Sequence, residues 1–209
     1  KGFSAGHNLK EVRGLNKKEK YQKLFNLCSK VMLQIVEGRK PVIAKVHGAA
    51  FAAGHNLKEV KNLKVKNKYQ KLFNLCSKLM LQIVEGKKPV IAKVHGAAFA
   101  AGCQLVASCD LAYSTKDALF ATPGVNIGLF CSTPMVAVSR KINRKPMMKM
   151  LLTGEPIKAN YAKEIGLIND YFSKSKLESE VLKVAKTIAS KSNLTIKIGK
   201  QAFYKQLEM

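Results

Sequence analysis

Lys88–Asp110 reads KPVIAKVHGAAFAAGCQLVASCD, and this stretch decides the fold. Val90, Ile91 and Val94 are β-branched and close together, which predicts a strand. Gly96 to Gly102 is glycine and alanine around a single phenylalanine, which predicts a turn. Cys103, Leu105, Val106, Ala107 and Cys109 then fall at helical spacing. A strand, a small-residue turn and a helix start leave unpaired backbone N–H groups directed at one place. Small side chains let a ligand come close to them. Such a turn can hold a phosphate, a carboxylate or a carbonyl oxygen gaining negative charge. The same residues also suit a tight strand-to-helix corner packed with alanine, and taken alone they favour the corner.

The sequence upstream repeats this stretch. Residues 3–54 align with residues 51–102 at a period of 48. The copies differ only at Ser4/Ala52, Arg13/Lys61, Gly14/Asn62, Asn16/Lys64, Lys17/Val65, Glu19/Asn67, Val31/Leu79 and Arg39/Lys87. Solenoid repeats drift further apart and need three or more units to bury a continuous core. Two near-identical copies point instead to a recent in-frame duplication, or to a gene-model error. Copy one ends in FAAG and each copy begins F-(S/A)-A-G, so the junction preserves the local pattern. In copy two, Tyr69, Leu72, Phe73, Cys76, Leu79, Met80 and Ile83 form a helical stripe, opposite Lys68, Lys71, Lys78 and Gln82. That stripe reads as core, with Gly86 as a C-cap and Pro89 opening the next strand. Helix, strand, turn, helix is an α/β alternation.

Downstream, the pattern predicts strands over 111–114, 119–122 and 167–172, and a loop over 124–134. Helices are expected over 135–141, 145–152, 159–165 and 176–190, with Gly166 closing the third. The tail from Leu194 to Met209 also has helical spacing.

Composition is that of a globular chain with one sizeable core: 209 residues, 47% hydrophobic and 24% charged. No apolar run approaches the ~18 residues that span a bilayer. The chain begins at Lys1 with neither methionine nor a signal-like apolar region, the mark of a fragment. Five cysteines with no C-x-x-C suggest a reducing compartment. Cys103 and Cys109 lie six apart with no histidine beside them, which argues against a metal site. Lys plus Arg is 37 against 13 acids, a net charge of +24. The lysines are dispersed, with their densest N-terminal cluster at Lys17, Lys18, Lys20 and Lys23, and Trp is absent. Dispersed lysines speak for solvated faces rather than a dedicated nucleic-acid site. They still attract polyanions in a salt-sensitive way.

Four ordered blocks now carry a family resemblance: FSAGHNLKEV, KPVIAKVHGAAFAAGCQLVASCDLAYST, FATPGVNIGL and LLTGEPIKANYAKEIGLIN. Together they resemble the crotonase (enoyl-CoA hydratase/isomerase) superfamily over nearly the whole chain, apart from the duplicated insert. CQLVASCDLA with ATPGVNIGLFCSTP is similar to a mitochondrial branch of that superfamily. The resemblance implies an α/β fold with a ββα spiral core, a helical C-terminal part, a homotrimer, a mitochondrial location and an acyl-CoA thioester ligand. It calls for no cofactor beyond coenzyme A itself. It also implies that the N-terminal strands of family members are missing here. Copy one's strand at 41–46 then stands in for one of them, and copy two builds the site. On this reading residues 1–50 are a loosely packed duplicated unit, 51–172 the core and 173–209 the start of the helical region.

In this family two backbone N–H groups form an oxyanion hole for the thioester carbonyl. The matching donors are His55 (His7 in copy one) and Ala101. Asn56, Leu57, Lys58 and Gly102 match positions along the substrate and CoA, and the charge of Lys58 suits phosphate. The side chains of His55 and His95 read as ordinary turn histidines. The family's hydratases hold and activate water with two glutamates, and the matching positions are Gln104 and Gly124. Glutamine can hold water but cannot accept its proton, and glycine can do neither. General acid–base help is worth ~10²–10⁴ in rate, so a weak or inactive hydratase is expected. Asn126, Cys131 and Ser132 share the second loop, while Glu155 and Glu164 read as helix-boundary and solvated carboxylates. Three readings follow: an acyl-CoA-binding crotonase of fatty-acid metabolism, a non-catalytic CoA-binding or assembly protein, and an RNA-binding relative.

Overall fold

The computed structural model describes residues 41–47 and 66–207. The first described element is β1 (Val42–His47), followed by the long helix α1 (Lys66–Glu85). The opening stretch then gives β2 (Val90–His95), β3 (Ala97–Phe99) and α2 (Ala101–Ser108). After these come β4 (Leu111–Thr115), β5 (Leu119–Ala121) and a short 3-10 turn, Pro123–Ile127. Helices α3 (Ser132–Ser139) and α4 (Arg144–Thr153) lead to β6 (Ile157–Lys158), α5 (Ala159–Glu164) and β7 (Asp170–Phe172). Two helices close the described chain, α6 (Leu177–Ala189) and α7 (Asn193–Leu207).

The strands form two sheets. One is wholly parallel in the order β1-β2-β4-β7, and the other has the order β3-β5-β6 with β6 antiparallel. β1 belongs to copy one and β2 to copy two, and they pair residue for residue from Val42↔Val90 to His47↔His95. The register therefore equals the period of the repeat: the duplicated strand lies beside its own copy. The expectation that copy one's strand supplies a sheet member is met.

A parallel sheet covered on both faces needs apolar residues at every position. β2 meets that demand, since Val90, Ile91, Ala92 and Val94 are all buried. Val90, Ala92 and Val94 pack with Ile83 of α1 and with Cys103, Leu105 and Val106 of α2. Ile91 packs the other way, against Leu177 and Val181 of α6. Burying each such side chain is worth ~1.5–3 kcal/mol, so the opening stretch anchors both layers. Lys93 is the exception inside β2. Only 3% exposed, it ion-pairs with Glu178 on α6.

α7 buries no whole residue and is held instead by polar bonds to Asp110. Lys200 Nζ donates to Asp110 Oδ2 at 2.7 Å, and also to the carbonyls of Ile83 and Lys88, each at 2.7 Å. Tyr204 donates its hydroxyl to Asp110 Oδ1 at 2.9 Å, and Val90 N–H donates to Oδ2 at 2.6 Å. Burial and the Asp110 carboxylate push the Tyr204 phenol well above its ordinary value.

Several boundaries differ from the sequence reading. The 96–102 turn contains β3, and α2 starts at Ala101, two residues earlier than the apolar spacing begins. The expected loop over 124–134 holds the 3-10 turn and the first turn of α3. β6 is too short for periodicity to reveal. Among the described side chains of the α1 stripe, Ile83 is buried, whereas Phe73 is 39% exposed. Left-handed glycines close the 3-10 turn (Gly128) and α4 (Gly154), and Gly166 follows α5; Gly86 is not one of them. Residues 1–40 and 48–65, including copy one's expected helix, lie outside the described residues.

Candidate functional site

The turn between β2 and α2 is built by the pairing of β3 with β5. Ala97, Ala98 and Phe99 lie opposite Leu119, Phe120 and Ala121. Ala100 N–H then donates to the Ala121 carbonyl at 2.9 Å, which fixes the end of β5 against the start of α2. Ala100 turns the chain with φ 48° and ψ −115°, a conformation that normally calls for glycine. Holding alanine there costs of order 1–3 kcal/mol, which the surrounding pairing offsets. The first helical bond is Gln104 N–H to the Ala100 carbonyl at 2.9 Å. The N–H groups of Ala101, Gly102 and Cys103 precede that bond and open from the helix start. No acidic residue stands in the first turn of α2 to compete for them.

Gln104 lies one turn into α2 and is partly exposed. Its backbone carbonyl accepts the Ser108 hydroxyl at 2.9 Å. Gly102 and Cys103 behind it are buried. Burial pushes the Cys103 thiol up to about 12; neighbouring Cys131 acts in the same sense, and a hydrogen bond with the Ala121 backbone opposes them. Cys103 is thus a protonated core thiol at neutral pH.

Gly124 lies three residues beyond Ala121 and is buried. The loop folds back on it. Leu129 N–H donates to the Gly124 carbonyl at 2.9 Å, and Gly124 N–H donates to Cys131 Sγ at 3.2 Å. A β-carbon at Gly124 would stand 2.7 Å from the Leu129 carbonyl oxygen, 2.9 Å from Cys131 Sγ and 3.2 Å from Cys131 N. Any side chain at this position therefore requires the 129–131 backbone to move. Just before it, Thr122 is fully buried, and its hydroxyl has no hydrogen-bond partner among the described residues.

Ala101, Gly102, Gln104 and Gly124 are thus gathered by the β3–β5 pairing, whereas His55, Asn56, Leu57 and Lys58, with His7, lie outside the described residues. Asn126 packs its amide beside Gly154 at the end of α4, with Oδ1 2.8 Å from where a Gly154 β-carbon would be. Cys131 is buried and Ser132 exposed. Glu155 and Glu164 are exposed; Glu155 lines a cleft of about 300 Å³ with Lys149, Tyr161 and other residues from the end of α4 to α5. Among the described residues no cluster of three His, Cys, Asp or Glu can hold a metal. Sequence reasoning missed the strain at Ala100 and the hub at Asp110. An alanine written where the turn needs glycine is a signal only once the turn is placed.

A sequence model of the enoyl-CoA hydratase/isomerase family matches residues 1–65 and again 50–209. The chain belongs to this family. The double match reflects the repeat, each copy beginning with the same F-(S/A)-A-G-H-N-L-K. The rat enoyl-CoA hydratase domain-containing protein 3, mitochondrial, is 46% identical over 205 residues, 98% of this chain and 52% of that protein. The chain therefore spans about half the length of the curated relatives it matches. Among solved structures, an enoyl-CoA hydratase from Mycobacterium smegmatis has a TM-score of 0.83 at 43% identity, covering 88% of this chain and 73% of its own. Human enoyl coenzyme A hydratase domain-containing protein 3 gives 0.82 at 42% identity, covering 88% and 75%. As an enoyl-CoA hydratase/isomerase family member, the chain has the crotonase fold that its sequence resemblance implies. Among the described residues no helix is long and apolar enough to cross a membrane.

Proposed function

We propose that this chain is an acyl-CoA-binding family member of fatty-acid metabolism that polarises a thioester carbonyl but does not hydrate efficiently. The carbonyl oxygen accepts hydrogen bonds from the backbone N–H groups of Ala101 and His55. Gly102 lets it approach, Asn56 and Leu57 line the acyl path, and Lys58 meets CoA phosphate. Backbone donors of this kind stabilise an enolate-like oxygen, and one such donor is worth ~10²–10³ in rate. The ligand is the CoA thioester itself, with no further cofactor. The mitochondrial naming of the rat relative supports a mitochondrial location, and the family supports a homotrimer.

One observation carries the reading. The glutamate position at Gly124 is sterically closed by Leu129 and Cys131 as well as substituted. With Gln104 at the other position, neither aligned residue can take a proton from water. This same pair of losses favours a non-catalytic CoA-binding or assembly role as the second reading. The RNA-binding reading rests on net charge and on the existence of RNA-binding relatives in the superfamily.

A thermal-shift titration separates the three. Crotonyl-CoA and acetyl-CoA should raise Tm saturably, by the mass-action stabilisation of a ligand that binds only the folded state. RNA at physiological salt should not. Slow turnover of crotonyl-CoA above the uncatalysed rate supports a catalytic role, and binding without turnover supports the assembly role. Absence of any CoA-dependent shift sinks both.

A further inference from the structure

We propose that Lys141 is a modification site, whose amine takes acyl groups from acyl thioesters such as acetyl-CoA faster than exposed lysines do. Lys141 follows α3 and lies beside the Asp110 hub that holds α7. Its Nζ stands 5.4 Å from the centroid of the Tyr204 ring, and Lys200 Nζ stands 5.8 Å from the same centroid. Two ammonium groups thus gather at one ring, and the carboxylate between them is already occupied. Asp110 Oδ2 accepts from Lys200 Nζ and from Val90 N–H, while Oδ1 accepts from the Tyr204 hydroxyl. Among the described residues no carboxylate lies within ion-pair distance of Lys141.

These surroundings favour the amine over the ammonium. Lys141 is half-buried, and desolvation penalises the charged form. Burial is the largest influence and sets the ammonium below its ordinary 10.5; Asp110 and Cys109 oppose it, and Lys200 adds like-charge repulsion. Cys109, with its thiol pushed up to about 12, is protonated at neutral pH and brings no charge there. A lysine desolvated beside another cation is an activated nucleophile. Its nitrogen attacks the thioester carbonyl, a C–N bond forms and the C–S bond breaks. The thiolate leaves, and the proton shed by nitrogen passes to it or to water. The product is a neutral amide, so one of the two cations at the Tyr204 ring is removed and Lys200 keeps Asp110.

The test incubates the full chain with acetyl-CoA between pH 7 and 10.5 and follows each lysine by peptide mass spectrometry. At pH 7.5 Lys141 should acetylate at least about fivefold faster than Lys145 on α4 and Lys183 on α6, which are both exposed. That ratio should fall toward one near pH 10.5, where an ordinary lysine is half amine. In denaturing guanidinium chloride, which dismantles the hub, the preference should vanish. The acetyl thioester of N-acetylcysteamine, which lacks the CoA nucleotide, should show the same preference, so a failure to bind CoA would leave this test standing. Four results would each overturn the inference: no faster reaction than at Lys145, a ratio indifferent to pH, a preference that survives unfolding, or one confined to acetyl-CoA.

Discussion

At Gly124 the absence of a β-carbon lets the loop fold back on the chain. The space that a side chain would need is held by the Leu129 carbonyl and the Cys131 thiol. Gly124→Glu should therefore cost about 2 kcal/mol in urea unfolding, as overpacking does, and should not raise crotonyl-CoA hydration even when combined with Gln104→Glu. A rise of tenfold or more in the double variant would show that the loop yields. The cysteines make a second residue-scale case. Burial pushes the thiols of Cys103 and Cys109 up to about 12 from 9.0. The unfolded chain loses these protons first, so their stability contribution is whole below pH 9 and is lost as pH rises toward 12. Urea midpoints measured from pH 8 to 11 should fall steeply, and Cys103→Ala should flatten the slope. The sequence singles out Gln104 and Gly124 only through the motifs in which they sit. The closure at Gly124 is not legible there, because it depends on where residues 129–131 return.

Elements here are joined by a few bonds over long sequence distances. Helix α7 reaches the sheet through Lys200 and Tyr204 on Asp110, ninety or more positions away. The Lys200 side chain is only 7% exposed, so neutralising its partner strands a charge. Asp110→Asn should cost about 2–3 kcal/mol and release α7, seen as faster tryptic cleavage at Lys197 and Lys205. An unchanged cleavage rate would mean that α7 docks by other contacts. The helices were readable because amphipathic periodicity survives over three or more turns. β3 and β6 were not, since two or three residues carry no period, and their pairing partners lie far along the chain.

At the scale of the whole molecule, a net charge of +24 works against compactness. Raising ionic strength from 20 to 200 mM should increase Tm by several degrees, and no change would show that repulsion among the lysines does not limit stability. The duplication also acts at this scale. It places identical strands side by side, in register from Val42↔Val90 to His47↔His95.

The sequence by itself determined the family, the α/β alternation and the period of the repeat. All of these are local patterns or ordered motifs. Only the tertiary structure decided that β1 lies beside its own copy, that Ala100 takes a glycine-like turn, that backbone occupies the Gly124 position, and that Asp110 holds α7. Each of these depends on groups distant in sequence meeting in space, and residue spacing holds no record of such meetings. For the stretch Lys88–Asp110, the chain wrote the strand, the turn and the helix. The pairing of β3 with β5 fixed that turn against the end of β5.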